Sequence, residues 1–193
     1  AEMPSVVANG IQIEYETFGN SSGRPLLLII GLGAHMIHWD ADLCKDLAAR
    51  GHYVIRFDNR DVGLSTKFGE TGIPNLPEIF GKLLRREIVK PPYTLDDMAD
   101  DAVALLDGLN IPKAHVCGMS MGGMIAQTIA IRHPERVLSL ISIYSTTGNP
   151  ELPQAKPEII GLLSAPPPTE RQAFIEHMLV VFKTISGPGF PPD

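Results

Sequence analysis

The sequence predicts an α/β fold, a mostly parallel sheet with helices packed on both faces. Three observations carry this. Apolar runs at 26–30, 53–57, 115–117 and 137–144 alternate with segments of helical period, the pattern of strands joined by crossover helices. Two of those runs, L-L-L-I-I and V-L-S-L-I-S-I-Y, are apolar on successive residues, as strands buried on both faces are. The stretch A-H-V-C-G-M-S-M-G-G-M-I-A-Q-T-I-A-I-R (114–132) reads as a short strand, a sharp glycine-rich turn and a helix, which is one complete strand-to-helix unit of such a sheet.

The chain opens with a hairpin. Asn9-Gly10 separates two runs, the second alternating Ile11, Ile13 and Tyr15 with Gln12, Glu14 and Glu16, and Asn-Gly supplies the left-handed backbone that a two-residue turn needs. Pro25 introduces the third strand, which ends in Gly31-Leu32-Gly33. From about 36 to 50 the apolar residues Ile37, Ala41, Leu43, Leu47 and Ala48 follow a helical period, and Gly51 is placed to stop the helix. The fourth strand (53–57) runs into the turn-rich D-N-R-D-V-G-L-S. Residues 67–92 show little periodicity and predict an irregular excursion with one short helix.

Thr94 with Asp97 three residues on gives a capping-box pattern, followed by a core-facing stripe of Leu95, Met98, Ala102, Leu105, Leu106 and Leu109. His133-Pro134 ends the helix after the glycine turn, and 137–144 forms the sixth strand. Composition then shifts, with nine of the 17 prolines in the last 47 residues and two helical pieces at about 154–164 and 169–185. This predicts a core over 1–146 and a partial helical lid over 147–193.

Composition narrows the function. At 193 residues, 44% hydrophobic and 20% charged, the chain has enough apolar residues for a sizeable core. A net charge of −6 without a basic stripe argues against a nucleic-acid partner; Lys82, Arg85, Arg86 and Lys90 read as a solvated helix face. The two cysteines, Cys44 and Cys117, lack metal or redox spacing and read as buried thiols. The N-terminal residues lack the regions of a signal peptide, and no apolar run approaches a membrane span. The expectation is a cytoplasmic protein without a membrane partner. No His, Cys or carboxylate cluster has ligand spacing, so neither a metal nor an organic cofactor is expected.

The chemistry centres on G-M-S-M-G-G. A G-x-S-x-G turn between a strand and a helix presents its serine hydroxyl at the carboxyl end of a sheet, the end at which ligands bind in such folds. With G-L-G after the third strand and F-D-N-R-D-V-G-L-S after the fourth, in this order, the chain resembles the N-terminal two-thirds of an α/β-hydrolase-fold protein. The R-D-x-G-x-S form of the second motif, with Asp61 where many members have glycine, is most similar to the lidded esterases that include anthracycline methyl esterases. The resemblance covers essentially 5–190. It implies Ser120 as nucleophile and an oxyanion hole from the backbone N–H groups of Leu32 and Met121, roles that place no demand on those side chains. It also implies that the Asp58–Arg60 loop is structural, a salt-bridged turn bracing the site. Serine at the nucleophile position disfavours epoxide and haloalkane hydrolysis.

The base is the missing part. In this fold the acid and histidine follow the serine along the chain. After Ser120 the sequence offers Asp193 and, outside the helix that follows the turn, His177, which sits in a lid-like helix. His35 and His38 follow the oxyanion turn, and His52, His115 and His133 have ordinary strand or helix-end positions. Ser145-Thr146 stands where some relatives place the acid. Two function classes follow: a serine hydrolase acting on a small apolar ester, with Asp and His from a second fragment or the remainder of the same protein, or a non-catalytic module of the same fold that binds a small molecule. Cofactor-free haloperoxidase-type or carbon–carbon hydrolase activity would use the same serine. A segment beginning close after Asp193, supplying strands beside the sixth strand and a histidine near Ser120, is the corresponding expectation.

Overall fold

The computed structural model describes residues 4–69, 87, 90–149, 151–153, 156–186 and 189. Most of the predicted 67–92 excursion, with Lys82, Arg85 and Arg86, lies outside them. Residues 1–147 and 148–193 form two compact units.

In the first unit six strands form one sheet: β1 (Ser5–Ala8), β2 (Ile11–Phe18), β3 (Arg24–Ile29), β4 (His52–Phe57), β5 (Ala114–Met119) and β6 (Val137–Ile143), in the order β1-β2-β4-β3-β5-β6. β1 and β2 pair antiparallel about the Asn9-Gly10 turn, both of whose residues take positive φ (51° and 76°). β2 joins β4 antiparallel. From β4 through β3 and β5 to β6 every pairing is parallel, so the carboxyl ends of four strands lie along one edge of the sheet.

Period-two alternation divides the core between the faces. Leu27 and Ile29, Ile55 and Phe57, and Ala114 and Val116 join the buried faces of two helices, α2 (Leu95–Gly108) and α3 (Met121–Arg132). Leu26, Leu28, Ile30, Val54 and Cys117 join Trp39 and Cys44, the latter on α1 (Ala41–Ala49). The Thr94–Asp97 capping box forms as predicted, and Met98, Ala102, Leu105 and Leu106 of the predicted stripe are buried.

Two local expectations are corrected. The helix expected from about 36 is a single 3-10 turn (Met36–His38) followed by α1, because the Asp40 carboxylate accepts the N–H groups of Asp42 and Leu43 and so fixes a new N-terminus. That resets the buried face onto Cys44 and leaves Ile37 and Leu43 exposed. Glu14, placed by alternation on the outer side of β2, is buried. The loop after β4 covers it: Ser65 Oγ accepts the Glu14 N–H at 2.9 Å, and Asp58 N–H donates to the Glu14 carbonyl at 3.0 Å. The sixth strand, apolar on both faces and expected to lack a partner on its outer edge in this chain, is the edge strand among the described residues, with Leu138, Leu140 and Ile141 exposed at 50%, 41% and 44%. An apolar edge left unpaired is a template for adding a strand.

In the second unit, α4 (Pro157–Ser164) starts on a proline, and α5 (Arg171–Ile185) is capped by Glu170, whose carboxylate accepts the N–H groups of Gln172 and Ala173. Phe174, Ile175, Leu179 and Phe182 of α5 are exposed.

The loop after β4 is locked to α2 by an ion pair. Arg60 Nε and Nη2 meet the Asp101 carboxylate at 2.6 and 2.7 Å, with both side chains nearly fully buried. The guanidinium lies over the rings of Phe68 and Tyr93 at 5.0 and 4.9 Å, and Asn9 Nδ2 donates to Asp101. The pair at this loop is thus Arg60 with Asp101, and Asp58 has a separate task. Replacing Asp101 by alanine leaves a buried unpaired guanidinium, a loss of about 3–5 kcal/mol. Thermal unfolding should record a fall in Tm of roughly 10 °C, and a loss below about 1 kcal/mol contradicts the account.

Candidate active site

The site is assembled where β3, β4, β5 and β6 end. β5 is followed directly by Ser120 and then by α3. Ser120 has φ 56° and ψ −123°, a conformation outside the regions that suit a residue with a Cβ. Packing holds it there. A Cβ on Gly118 would collide with the Gly122 carbonyl, and one on Gly122 would collide with the carbonyls of Ile29, the last residue of β3, and of Ile30 just after it. Only glycine permits both approaches, so the turn stays tight enough to bring α3 back over the sheet. The Ser120 N–H donates to the Ile143 carbonyl at 2.8 Å and the Ser120 carbonyl accepts from Gly123 at 2.9 Å. Ser120 itself is exposed.

The turn after β3 lies against it. A Cβ built on Gly31 would fall 3.0 Å from Ser120 Cβ and 3.5 Å from its Oγ, so this loop and the serine are in contact. Leu32 follows Gly31 in the adjoining loop, and Met121 follows Ser120 as the first residue of α3, where helix geometry leaves N–H groups without intrahelical partners. Leu32 is 79% exposed.

The loop carrying Leu32 is clamped by two adjacent side chains from the end of β4. Asn59 Nδ2 donates to the Ile30 carbonyl at 3.0 Å, and Asp58 Oδ1 accepts the Met36 N–H at 2.8 Å. Asp58 Oδ2 takes the Leu64 N–H at 3.1 Å. Both residues are buried, at 3% each. The salt bridge of this loop is made by Arg60; Asp58 braces it by hydrogen bonds from backbone N–H groups, that of Met36 lying 22 residues away. The signal available in the sequence was an Asp-Asn pair at a strand end, which does not name its partners.

The remaining candidates are dispersed. His35 and His38 are exposed on the 3-10 turn. His52 and His115 meet edge to face at 6.1 Å near the amino ends of their strands, and His115 Nδ1 lies 2.7 Å from Ser139 Oγ. Burial holds the His52 imidazole below its usual pKa. His133 Nε2 pairs with Asp100 at 2.8 Å. Among the described residues, no histidine or carboxylate hydrogen-bonds Ser120 Oγ. Ser145 Oγ, just past β6, is buried without a hydrogen-bond partner. Cys117, three residues before Ser120, has its thiol pushed up to about 11 by burial, so it stays protonated near neutrality and does not compete as a nucleophile. No group of three or more metal-ligating side chains occurs among the described residues, and none of their helices is long and apolar enough to cross a membrane.

Residues 24–181 match the family described as alpha/beta hydrolase fold. The chain belongs to that family. Rhodomycin D methylesterase of Streptomyces peucetius is 30% identical over 92% of this chain and 60% of its own length. The enzyme of the same description from Streptomyces sp. (strain C5) is 37% identical over 65% of this chain and 36% of its own. The 3-oxoadipate enol-lactonase 2 of Acinetobacter baylyi is 30% identical over 71% and 43%. The chain thus spans from about a third to three-fifths of the length of these relatives. Among solved structures, the enol-lactonase of Burkholderia xenovorans superposes with a TM-score of 0.54 at 28% identity, over 69% of this chain and 44% of that one. A meta-cleavage product hydrolase of Pseudomonas fluorescens reaches 0.67 at 22% over 93% and 55%, a likeness of fold.

The clamp has a measurable consequence. Asp58→Ala strands two N–H groups, at about 1–3 kcal/mol each, whereas Asp58→Asn keeps one acceptor and should lose less. Urea unfolding is expected to rank wild type above Asn above Ala, with Ala lower by about 2–6 kcal/mol. Equal stability of Ala and wild type contradicts the clamp.

Proposed function

We propose that the chain carries the nucleophile and oxyanion donors of a serine hydrolase that cleaves a carboxylic ester, with the acid and histidine supplied by polypeptide outside these 193 residues. The observation that carries this is the strained Ser120 in contact with the Gly31 turn. A non-glycine residue held at such backbone angles by glycine packing supports a functional reading, as does the contact of the adjoining loop with it. The family relationship and the printed activities of the relatives, methylesterase and enol-lactonase, support an ester substrate.

In this reading Ser120 Oγ attacks the ester carbonyl carbon while the imported histidine takes its proton. The carbonyl π electrons move to oxygen, and the N–H groups of Leu32 and Met121 hold the oxyanion. Collapse expels the alkoxide, which leaves as the alcohol with the proton from histidine. Water, deprotonated by the same histidine, then attacks the acyl-serine; the acid leaves and the proton returns to Ser120. Asp58 and Asn59 act at one remove by fixing the loop that carries Leu32. The unpaired apolar edge of β6 suits the segment that would bring the histidine. Residues 147–193 are proposed as part of a helical lid, with Phe174, Ile175, Leu179 and Phe182 of α5 exposed. The buried thiols Cys44 and Cys117 suit a cytoplasmic setting.

A second reading, a small-molecule binding module, is favoured by the want of a base at Ser120 Oγ among the described residues. Ser120→Ala separates the two. In the protein that includes the histidine-bearing segment, hydrolysis of a short chromogenic ester should fall about 1,000-fold or more with the circular dichroism spectrum unchanged. Retention of a larger share of the rate contradicts the hydrolase reading.

A further inference from the structure

One face of α3 is fastened to the end of β6. Residues 120, 123 and 127 share that face, since helix positions three, four and seven apart lie above one another. At the first level the Ser120 N–H donates to the Ile143 carbonyl at 2.8 Å. At the second, Gly123 has no side chain to hold its neighbours off: a Cβ there would fall 2.5 Å from Ser145 Cβ and 3.0 Å from Ser142 Oγ. At the third, Gln127 Nε2 donates to the Gly123 carbonyl at 3.1 Å and to the Thr146 carbonyl at 3.2 Å, with Ser142 Oγ 3.5 Å away. The chain that leaves β6 at Ile143 therefore turns back along α3.

The polar tie at this place is Gln127. The Ser145 hydroxyl that packs on Gly123 is buried without a hydrogen-bond partner, so the hydrogen bond from α3 to the returning segment comes from the carboxamide, 19 residues from Thr146 along the chain. The residue type fits the task. A carboxamide brings two N–H donors to carbonyl oxygens, whereas a carboxylate of the same shape could only accept. The tie reaches the nucleophile through Ile143. That carbonyl, the acceptor of the Ser120 N–H, is held by the β5–β6 ladder on one side and by the fastened segment on the other.

We propose that Gln127 is a positioning residue: its carboxamide fastens the segment after β6 to the helix that carries Ser120, and so keeps the nucleophile turn in register with the end of β6. Its consequence for catalysis rests on the hydrolase reading. Without the tie the Ile143 carbonyl is held from one side only, the Ser120 turn opens more often, and the hydroxyl spends less time where it can attack.

Two replacements in the protein that includes the histidine-bearing segment test this. Gln127→Met keeps the length and removes the donors; Gln127→Glu keeps the shape and sets a carboxylate against the carbonyls. Amide hydrogen exchange at Ser120 should rise about 3- to 10-fold in Gln127→Met, with the amides of α2 unchanged. With a short chromogenic ester, kcat should fall about 10-fold or more while KM stays within about twofold, and Gln127→Glu should fall at least as far. Unchanged exchange at Ser120, exchange raised equally in α2, or a kcat within about twofold of wild type in both variants overturns the inference. Exchange raised at Ser120 alone, in a protein that hydrolyses no ester, supports the tie and overturns the hydrolase reading, so the two fail separately.

Discussion

The structure depends on the approach of Gly118 to the Gly122 carbonyl. β5 must turn into α3 within one residue, and it does so because neither side of the turn carries a Cβ. The same tightness sets Gly122 against the Ile29 and Ile30 carbonyls, and with it α3 against β3. Ser120, the residue between strand and helix, takes the resulting strain at φ 56° and is left exposed. A wider turn would relieve the serine and separate α3 from the sheet, so the helix packing that buries Ile125, Ala126 and Ile129 also maintains the strain at the site.

Around that turn the sheet acts as a ruler. Four parallel strands end together, and at three of their ends lie the Gly31 turn after β3, the Asp58 and Asn59 hydrogen bonds after β4 and Ser120 after β5. The parts are tied mainly by hydrogen bonds to backbone atoms, as in Asn59 to Ile30, Asp58 to Met36, and Ser120 to Ile143. Backbone atoms fixed in a sheet or its margins cannot relax as side chains can, which is the condition for donors that must be in position before charge develops. Arg60, paired with Asp101 and covered by Phe68 and Tyr93, anchors the clamp-bearing loop to α2.

What was legible in the sequence was local. The Asn9-Gly10 hairpin, the Thr94–Asp97 capping box and the glycine turn at Ser120 each specify backbone geometry through neighbours within a few residues, and all three formed as read. Periodicity misplaced the start of α1 because a single carboxylate, Asp40, outweighed the weak apolar pattern upstream. Alternation misplaced Glu14 because the covering loop comes from residues 58–65, more than 40 positions away. The partners of Asp58 and Asn59 were hidden for the same reason. The apolar composition of β6 named a strand suited to burial; its exposure at the edge depends on what pairs beside it, which the strand cannot encode.

The central claim is that packing prepares Ser120 and a histidine from outside these residues activates it. Labelling with a fluorophosphonate, which needs an activated hydroxyl, followed by mass-spectrometric mapping of the adduct, tests this most directly. With the histidine-bearing segment present, the account predicts a single adduct on Ser120; with the 193 residues alone, it predicts none. Ester hydrolysis without an adduct on Ser120, or full labelling of Ser120 by the 193 residues alone, would contradict it.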